Sequence, residues 1–228
     1  MEAVLAAEGL GARTRRGPVF SGVTVRAGPG EVVAVSGPGG SGRTSLLLTL
    51  AGRMRPAAGA LVVAGTSDTA RIRARVGVAR VTGAAEPEPE LRVGQHVRER
   101  LLTLRGLPSD LESAPEGDSD PESEPEVDLG DFGDVRALVG LRADDHELVR
   151  DLPDAQVTRL ALGLALLEKP PVIVLDDLDR GANAAEQVAL WAAARRAADT
   201  GPTIVATVAE PSPAHGLANV FTHLGGGA

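Results

Sequence analysis

The sequence predicts an α/β fold: a mainly parallel sheet covered by helices and interrupted by an inserted helical lobe. Three observations predict it. Short apolar runs alternate with helical patterns in the first and last thirds of the chain. A glycine-rich stretch, residues 37–45, joins one such run to one such helix. From about residue 92 to 155 the alternation breaks. The expected division is one domain, 1–228, with an α/β core of 1–91 and 156–228 and a helical lobe of 92–155. At 228 residues the chain can close a single large core.

The elements follow in order. "VLAAEGL" and "PVFSGVTVRAG" have strand composition, the second with partial alternation at Val23 and Val25. "GPGE" is a turn, and "EVVAVS", 31–36, is a short apolar strand. A helix is expected over 44–51, "TSLLLTLA", with Pro56 and Gly59 as stop signals beyond it. Strands are expected at 60–63 and 75–81, then a polar loop at 82–90. Residues 92–104 read as an amphipathic helix with Val93, Val97, Leu101 and Leu104 on one side. A short helix at 134–139 precedes Gly140, and a strong one covers 156–168. Residues 172–175, "VIVL", are fully apolar and so belong inside the sheet. An alanine-rich helix, 184–198, and two strands, "TIVATV" and "NVFTHL", complete the chain.

Composition narrows the chemistry. Aromatics are 2% of the chain against 43% apolar residues, so the core is aliphatic. The absence of cysteine excludes disulfides, zinc–thiolate sites, iron–sulfur clusters and cysteine nucleophiles. No leader peptide or apolar run of membrane-spanning length is read, so the expected place is the cytoplasm, with peripheral attachment to the inner face of the membrane open. The net charge is −8, but residues 110–134 carry eleven acids and no base. Without them, 20 acids face 23 bases. An acidic total argues against a nucleic-acid partner. Dense acid, proline and serine at 108–131 predict a disordered insertion. The four histidines, at 96, 146, 215 and 223, have no ligand-like spacing.

The strongest local signal is Gly37-Pro38-Gly39-Gly40-Ser41-Gly42-Arg43-Thr44-Ser45. It fits the phosphate-loop pattern G-x-x-x-x-G-K-[ST] except that Arg43 replaces lysine. Glycines let successive backbone N–H groups converge on anionic oxygens, and the helix that follows adds its positive end. Gly37, Gly39, Gly40, Ser41, Gly42, Arg43, Thr44 and Ser45 are therefore the expected nucleotide contacts, with the Thr44 hydroxyl as a Mg²⁺ ligand. Arginine keeps the positive charge but presents a wide planar fork in place of a compact ammonium. A plain glycine–serine turn is the alternative, and the strand before and helix after the loop argue against it. A second signal lies 139 residues after Gly37. "VIVLDD" puts Asp176 and Asp177 at the end of a buried strand, where one carboxylate can hold Mg²⁺ and its neighbour can polarise water.

With these motifs in this order, the chain resembles the ATP-binding cassette ATPases, the nucleotide-hydrolysing domains of ABC transporters. The resemblance covers nearly the whole chain. The family signature L-S-G-G-Q is met by Leu152-Pro153-Asp154-Ala155-Gln156, and Gln156 stands the family's twenty residues before Asp176. Arg159 matches a basic position behind the signature, and Pro170 the proline before the acidic strand. The resemblance implies a P-loop NTPase fold of the ABC type, ATP and Mg²⁺ as cofactors, Mg²⁺ ligands Thr44 and Asp176, Asp177 at the catalytic glutamate, and Gln156 as a nucleotide contact.

Several positions depart from the pattern. Pro153, Asp154 and Ala155 replace the signature serine and glycines. Neither Val81 nor Thr82 supplies the glutamine-loop glutamine, Asn183 stands at the D-loop aspartate, and Val208 at the switch histidine. No aromatic lies near 11–15 to stack on adenine. Asp154 would carry like charge toward a phosphate across a dimer interface. The implied function is an ATP-binding subunit with weak or absent hydrolysis, paired as a homo- or heterodimer of cassettes and served by a separate transmembrane permease subunit. The alternatives are an inactive regulatory or structural cassette paired with an active one, and a non-transport ATPase.

Overall fold

A computed structural model of the chain describes residues 3–15, 17–106 and 132–225. The expected acidic insertion at 108–131 lies outside them. Two sheets form. The larger is wholly parallel, with order β5-β6-β7-β3-β8. Its strands are β3 (Val32–Ser36), β5 (Val76–Arg80), β6 (Val172–Leu175), β7 (Thr203–Val208) and β8 (Val220–His223). The smaller is antiparallel, with order β2-β1-β4, from β1 (Leu5–Thr14), β2 (Gly17–Ala27) and β4 (Ala58–Val63). The sequence identified these three strands but gave no sign that they leave the main sheet.

Both faces of the parallel sheet are covered, which is why its strands read as unbroken apolar runs. Side chains alternate between faces along a strand, and the two cores divide accordingly. Val33, Val35, Val174 and Val205 join Leu5, Leu10, Leu46, Leu47 and Leu50 in one cluster. That layer holds helix α1 (Arg43–Leu50) between the two sheets. Ala34, Ile173, Leu175, Ile204 and Ala206 face the other way, onto Leu160, Trp191 and Phe132. That second layer contains α3 (Val93–Leu104), α4 (Gly133–Val139), α5 (Asp154–Leu167) and α6 (Ala184–Asp199). Strand β6 is interior, with all four residues buried.

Helix α5 lies between the other helices of this layer and the sheet. It packs on α3, α4, β5 and β6, and a single buried cluster runs from Val93 and Val97 through Leu160 to Ile173. Behind the segment 152–156, the buried Arg159 donates through Nη1 to the Val139 carbonyl, tying α5 to the end of α4.

Two sequence expectations change. Leu104, expected on the apolar side of α3, is 47% exposed at the last turn, where the helix has run past the core. Helix α2 (Thr69–Arg75) went unread because it buries a single apolar residue, Ile72. What starts it is local: the Asp68 carboxylate accepts from Arg71 N at 2.8 Å.

Candidate functional site

Strand β3 ends at Ser36 and α1 begins at Arg43, so the glycine-rich stretch is the turn between them. Two of its glycines are required by geometry. Gly42 has φ 90°, and a Cβ there would stand 2.9 Å from the Val19 carbonyl oxygen. At Gly37 a Cβ would meet Ser41 Oγ at 2.6 Å and the Leu224 carbonyl oxygen at 2.7 Å. The first intrahelical bond of α1 runs from Leu46 N to Gly42 O, 2.8 Å. The amides of Arg43, Thr44 and Ser45 therefore precede the ladder and have no acceptor in it. Ser41 is 1% exposed, and among the described residues its hydroxyl has no hydrogen-bond partner. Gly39 and Gly40 lie on the open side, where added side chains would meet nothing within 4 Å. Unsatisfied donors and open space together form a place for an anion with several oxygens.

The parallel sheet brings the two sequence motifs together. Thr44 Oγ1 donates to Asp176 Oδ2 at 2.6 Å, and Thr207 Oγ1 donates to Asp176 Oδ1 at 2.5 Å. Asp176 is 2% exposed, and its N–H donates to the Arg80 carbonyl at 2.7 Å. Among the described residues no cationic side chain forms an ion pair with it. A buried carboxylate held only by hydroxyls has unmet demand for positive charge. Thr44 and Asp176 are hard oxygen donors, as Mg²⁺ prefers, but two are too few to cage it alone. The described residues contain no group of three or more acidic, histidine or cysteine side chains that could do so. The donor set fits a cation completed by phosphate oxygens and water.

Arg43 is engaged on three sides. Nη1 donates to Gly37 O at 2.7 Å and to Val208 O at 2.8 Å, and Nη2 pairs with Asp177 Oδ1 at 3.0 Å. Val208 is fully buried, so its contribution to the site is its carbonyl. Asp177 adopts a left-handed backbone, φ 41°, and its N–H donates to Thr207 Oγ1 at 2.7 Å. Two residues on, burial pushes the Asp179 carboxyl pKa up, and the Asp177 charge adds to the rise while Arg43 offsets it.

Gln156 is not gathered into this site within the chain. It lies in the first turn of α5, where its Oε1 accepts from Arg142 N at 2.8 Å. Asp154 has a partner that the sequence did not reveal. Its charge is met inside the chain, by Arg80 Nη2 at 3.0 Å. The carboxylate also packs on Gly181, where any Cβ would collide with it. Arg80 is 4% exposed and also donates to Thr158 Oγ1 at 2.9 Å. Sequence reading passed over Arg80 and Thr207. The signal for each was a polar residue inside an apolar strand, "RVGVARV" and "TIVATV".

Three of the four histidines have side-chain partners nearby. His96 contacts the Glu88 carbonyl at 3.1 Å, His223 the Ser36 hydroxyl at 3.1 Å, and His215 stacks at a tilt on Phe221. Among the described residues no helix is long and apolar enough to cross a membrane.

The sequence model of a family described as ABC transporter matches residues 20–179. A Streptomyces avermitilis protein named as an ABC transporter ATP-binding protein is 32% identical over 207 residues, covering 89% of this chain and 33% of that protein. The cytochrome c biogenesis ATP-binding export protein CcmA of Agrobacterium fabrum is 28% identical over 184 residues, covering 79% of this chain and 78% of CcmA. This chain spans about a third of the Streptomyces relatives' length. Among solved structures, a nucleotide-free ATP-binding cassette from an ABC transporter superposes with a TM-score of 0.77 at 17% identity, over 99% of this chain and 89% of that one. The ADP conformation of the cassette MJ1267 gives 0.74 at 16% identity, over 98% and 88%.

Proposed function

This chain belongs to the ABC transporter family, and we propose that it is an ATP-binding subunit that holds ATP–Mg²⁺ at residues 37–45 and hydrolyses it slowly or not at all. The observation that carries the proposal is the 2.6 Å contact between Thr44 and Asp176, which joins the phosphate loop to the acidic strand and leaves the loop's donors open. The Ser41 hydroxyl and the amides of Arg43, Thr44 and Ser45 would donate to the phosphate oxygens, with Gly37, Gly39, Gly40 and Gly42 letting the backbone approach. Thr44 and Asp176 would hold Mg²⁺, which when bound neutralises charge on the phosphates. The Phe20 ring packs beside Gly42 but is buried, so it offers no open face to a base. Val19 lies over Gly42, so the base is held weakly and ATP and GTP bind with similar affinity.

Slow turnover follows from what the chain's groups already do. Asp177 is already engaged by Arg43, so its carboxylate is not free to orient a water in its own chain. Val208 offers no side-chain donor for a γ-phosphate. The Arg43–Asp177 pair also favours the second reading, an inactive cassette that borrows an active partner's groups. In either case the working unit is a homo- or heterodimer of cassettes on the cytoplasmic face of a membrane, with the spanning segments in a separate permease subunit. Gln156 then acts across the dimer, away from its own chain's phosphate loop.

Calorimetric titration with Mg-ATP and Mg-GTP tests the binding. Similar affinities are expected, and failure of both to bind overturns the proposal. For hydrolysis, a wild-type rate near about 1 per second, the low end of ordinary enzymes, lost in Asp176→Ala would overturn the slow-turnover part.

A further inference from the structure

We propose that Asp177 competes with the phosphates of a nucleotide for the Arg43 guanidinium, and so weakens nucleotide binding. The inference rests on residues 37–45 being a phosphate site, and gives Asp177 a role opposite to that of a group recruited only for catalysis. The guanidinium is largely covered, at 13% exposure, and its three partners are unequal. Gly37 O and Val208 O are neutral carbonyls, and both are served by Nη1. Of these three partners Asp177 is the charged one, through Nη2, while the Asp179 carboxylate acts on Arg43 without a direct contact. A phosphate entering the loop brings the charge that Asp177 now provides, so the two anions are alternatives for one cation.

The neighbouring Asp176 is committed elsewhere, to Thr44 and Thr207, and forms no ion pair with Arg43. Asp177 is held in place by its backbone. Its left-handed φ, its N–H bond to Thr207 Oγ1 and its carbonyl bond from Arg180 N at 2.9 Å fix where the side chain leaves the chain. A non-glycine residue in that region is disfavoured and persists only where its surroundings hold it. The carboxylate is 35% exposed, so solvent can take it over when the pair opens.

The arrangement depends on arginine. The fork divides its work, one nitrogen on the carbonyls and the other on Asp177. Lysine ends in a single nitrogen about one bond short of Nη2 and cannot serve both sites equally. The effect of Asp177 on binding is therefore coupled to residue 43, whereas simple repulsion between a carboxylate and a phosphate is not.

The full chain, Asp177→Asn, Arg43→Lys and the double variant are titrated calorimetrically with Mg²⁺ and a non-hydrolysable ATP analogue, so that turnover plays no part. With Arg43 in place, Asp177→Asn should tighten binding about fivefold, the release of one partly exposed ion pair. In the Arg43→Lys background the same change should give less than about twofold, because the pair is already weakened. Asp177→Ser, which also removes the carboxylate, should repeat the gain seen with Asn. Weaker or unchanged binding in both Asp177 variants, alongside a wild type that binds, overturns the inference and leaves the phosphate site standing. An equal gain in both backgrounds overturns it too, since that is repulsion alone. No binding in any of the proteins removes the phosphate-site reading itself, and the inference with it.

Discussion

Residues 37–45 and residues 152–156 each match a family motif in part, and the fold handles the two partial matches in opposite ways. In the glycine-rich turn the substitution, Arg43, keeps its charge. Among the described residues the Ser41 hydroxyl has no partner, the first amides of α1 precede the helix ladder, and Asp176 is held by hydroxyls without a cation. At the start of α5 the polar groups are already spent. Asp154 pairs with Arg80, which arrives from a strand 74 residues earlier, and Gln156 accepts from Arg142 N. The first region keeps unmet demand that a ligand can satisfy. The second has met its demand internally. A charged substitution therefore does not by itself repel a ligand, because what matters is whether the fold supplies a counter-charge.

The largest expected effect falls in the first region. Asp176→Ala should weaken Mg-nucleotide binding by at least about tenfold, the lower end for perturbing a metal's ligand shell. Binding measured with the metal chelated should change little. Equal losses with and without Mg²⁺ would show that Asp176 only shapes the loop.

Asp154→Ala probes the second region. It should leave nucleotide affinity within about twofold and instead lower stability by about 1–2 kcal/mol, because Arg80 is buried and loses a partner while the carboxylate itself is partly open to water. Urea unfolding and a nucleotide titration on the same variant separate the two effects. A tenfold loss of affinity with unchanged stability would erase the distinction between the regions.

The smallest effect concerns Asp179, beside the site. Its carboxyl pKa is raised, first by burial and then by Asp177. A raised carboxyl disfavours the ionised form in the folded state. The stability contributed by this group is therefore full below its ordinary value of 3.8 and is lost as pH rises through the raised folded value. Asp179→Asn, which stays neutral, should match wild type in acid and exceed it at neutral pH, by under about 1 kcal/mol given the group's partial exposure. Thermal midpoints across pH 3 to 8 check the sign. A variant less stable than wild type at neutral pH would show that the ionised Asp179 is favoured.

The sequence by itself determined the apolar strands of the parallel sheet, the glycine-rich turn between strand and helix, the acidic strand end and the family. Each is written in neighbouring residues: "EVVAVS" before a glycine run, "VIVL" before two aspartates, Gln156 at a fixed interval from Asp176. Periodicity and backbone requirements act over a few residues and survive reading without a fold. Helix α2 escaped because one buried isoleucine makes no period, and the separate antiparallel sheet escaped because composition gives strands but not partners. Only the tertiary structure decided the roles of the substituted residues. That Arg43 divides itself between Val208 and Asp177, that Thr207 holds Asp176, and that Arg80 neutralises Asp154 all depend on strands distant in sequence lying side by side. An ionic or hydrogen-bonded contact acts over a few ångströms in space and leaves no fixed interval in the chain, so its partners become known only when the sheet order is known.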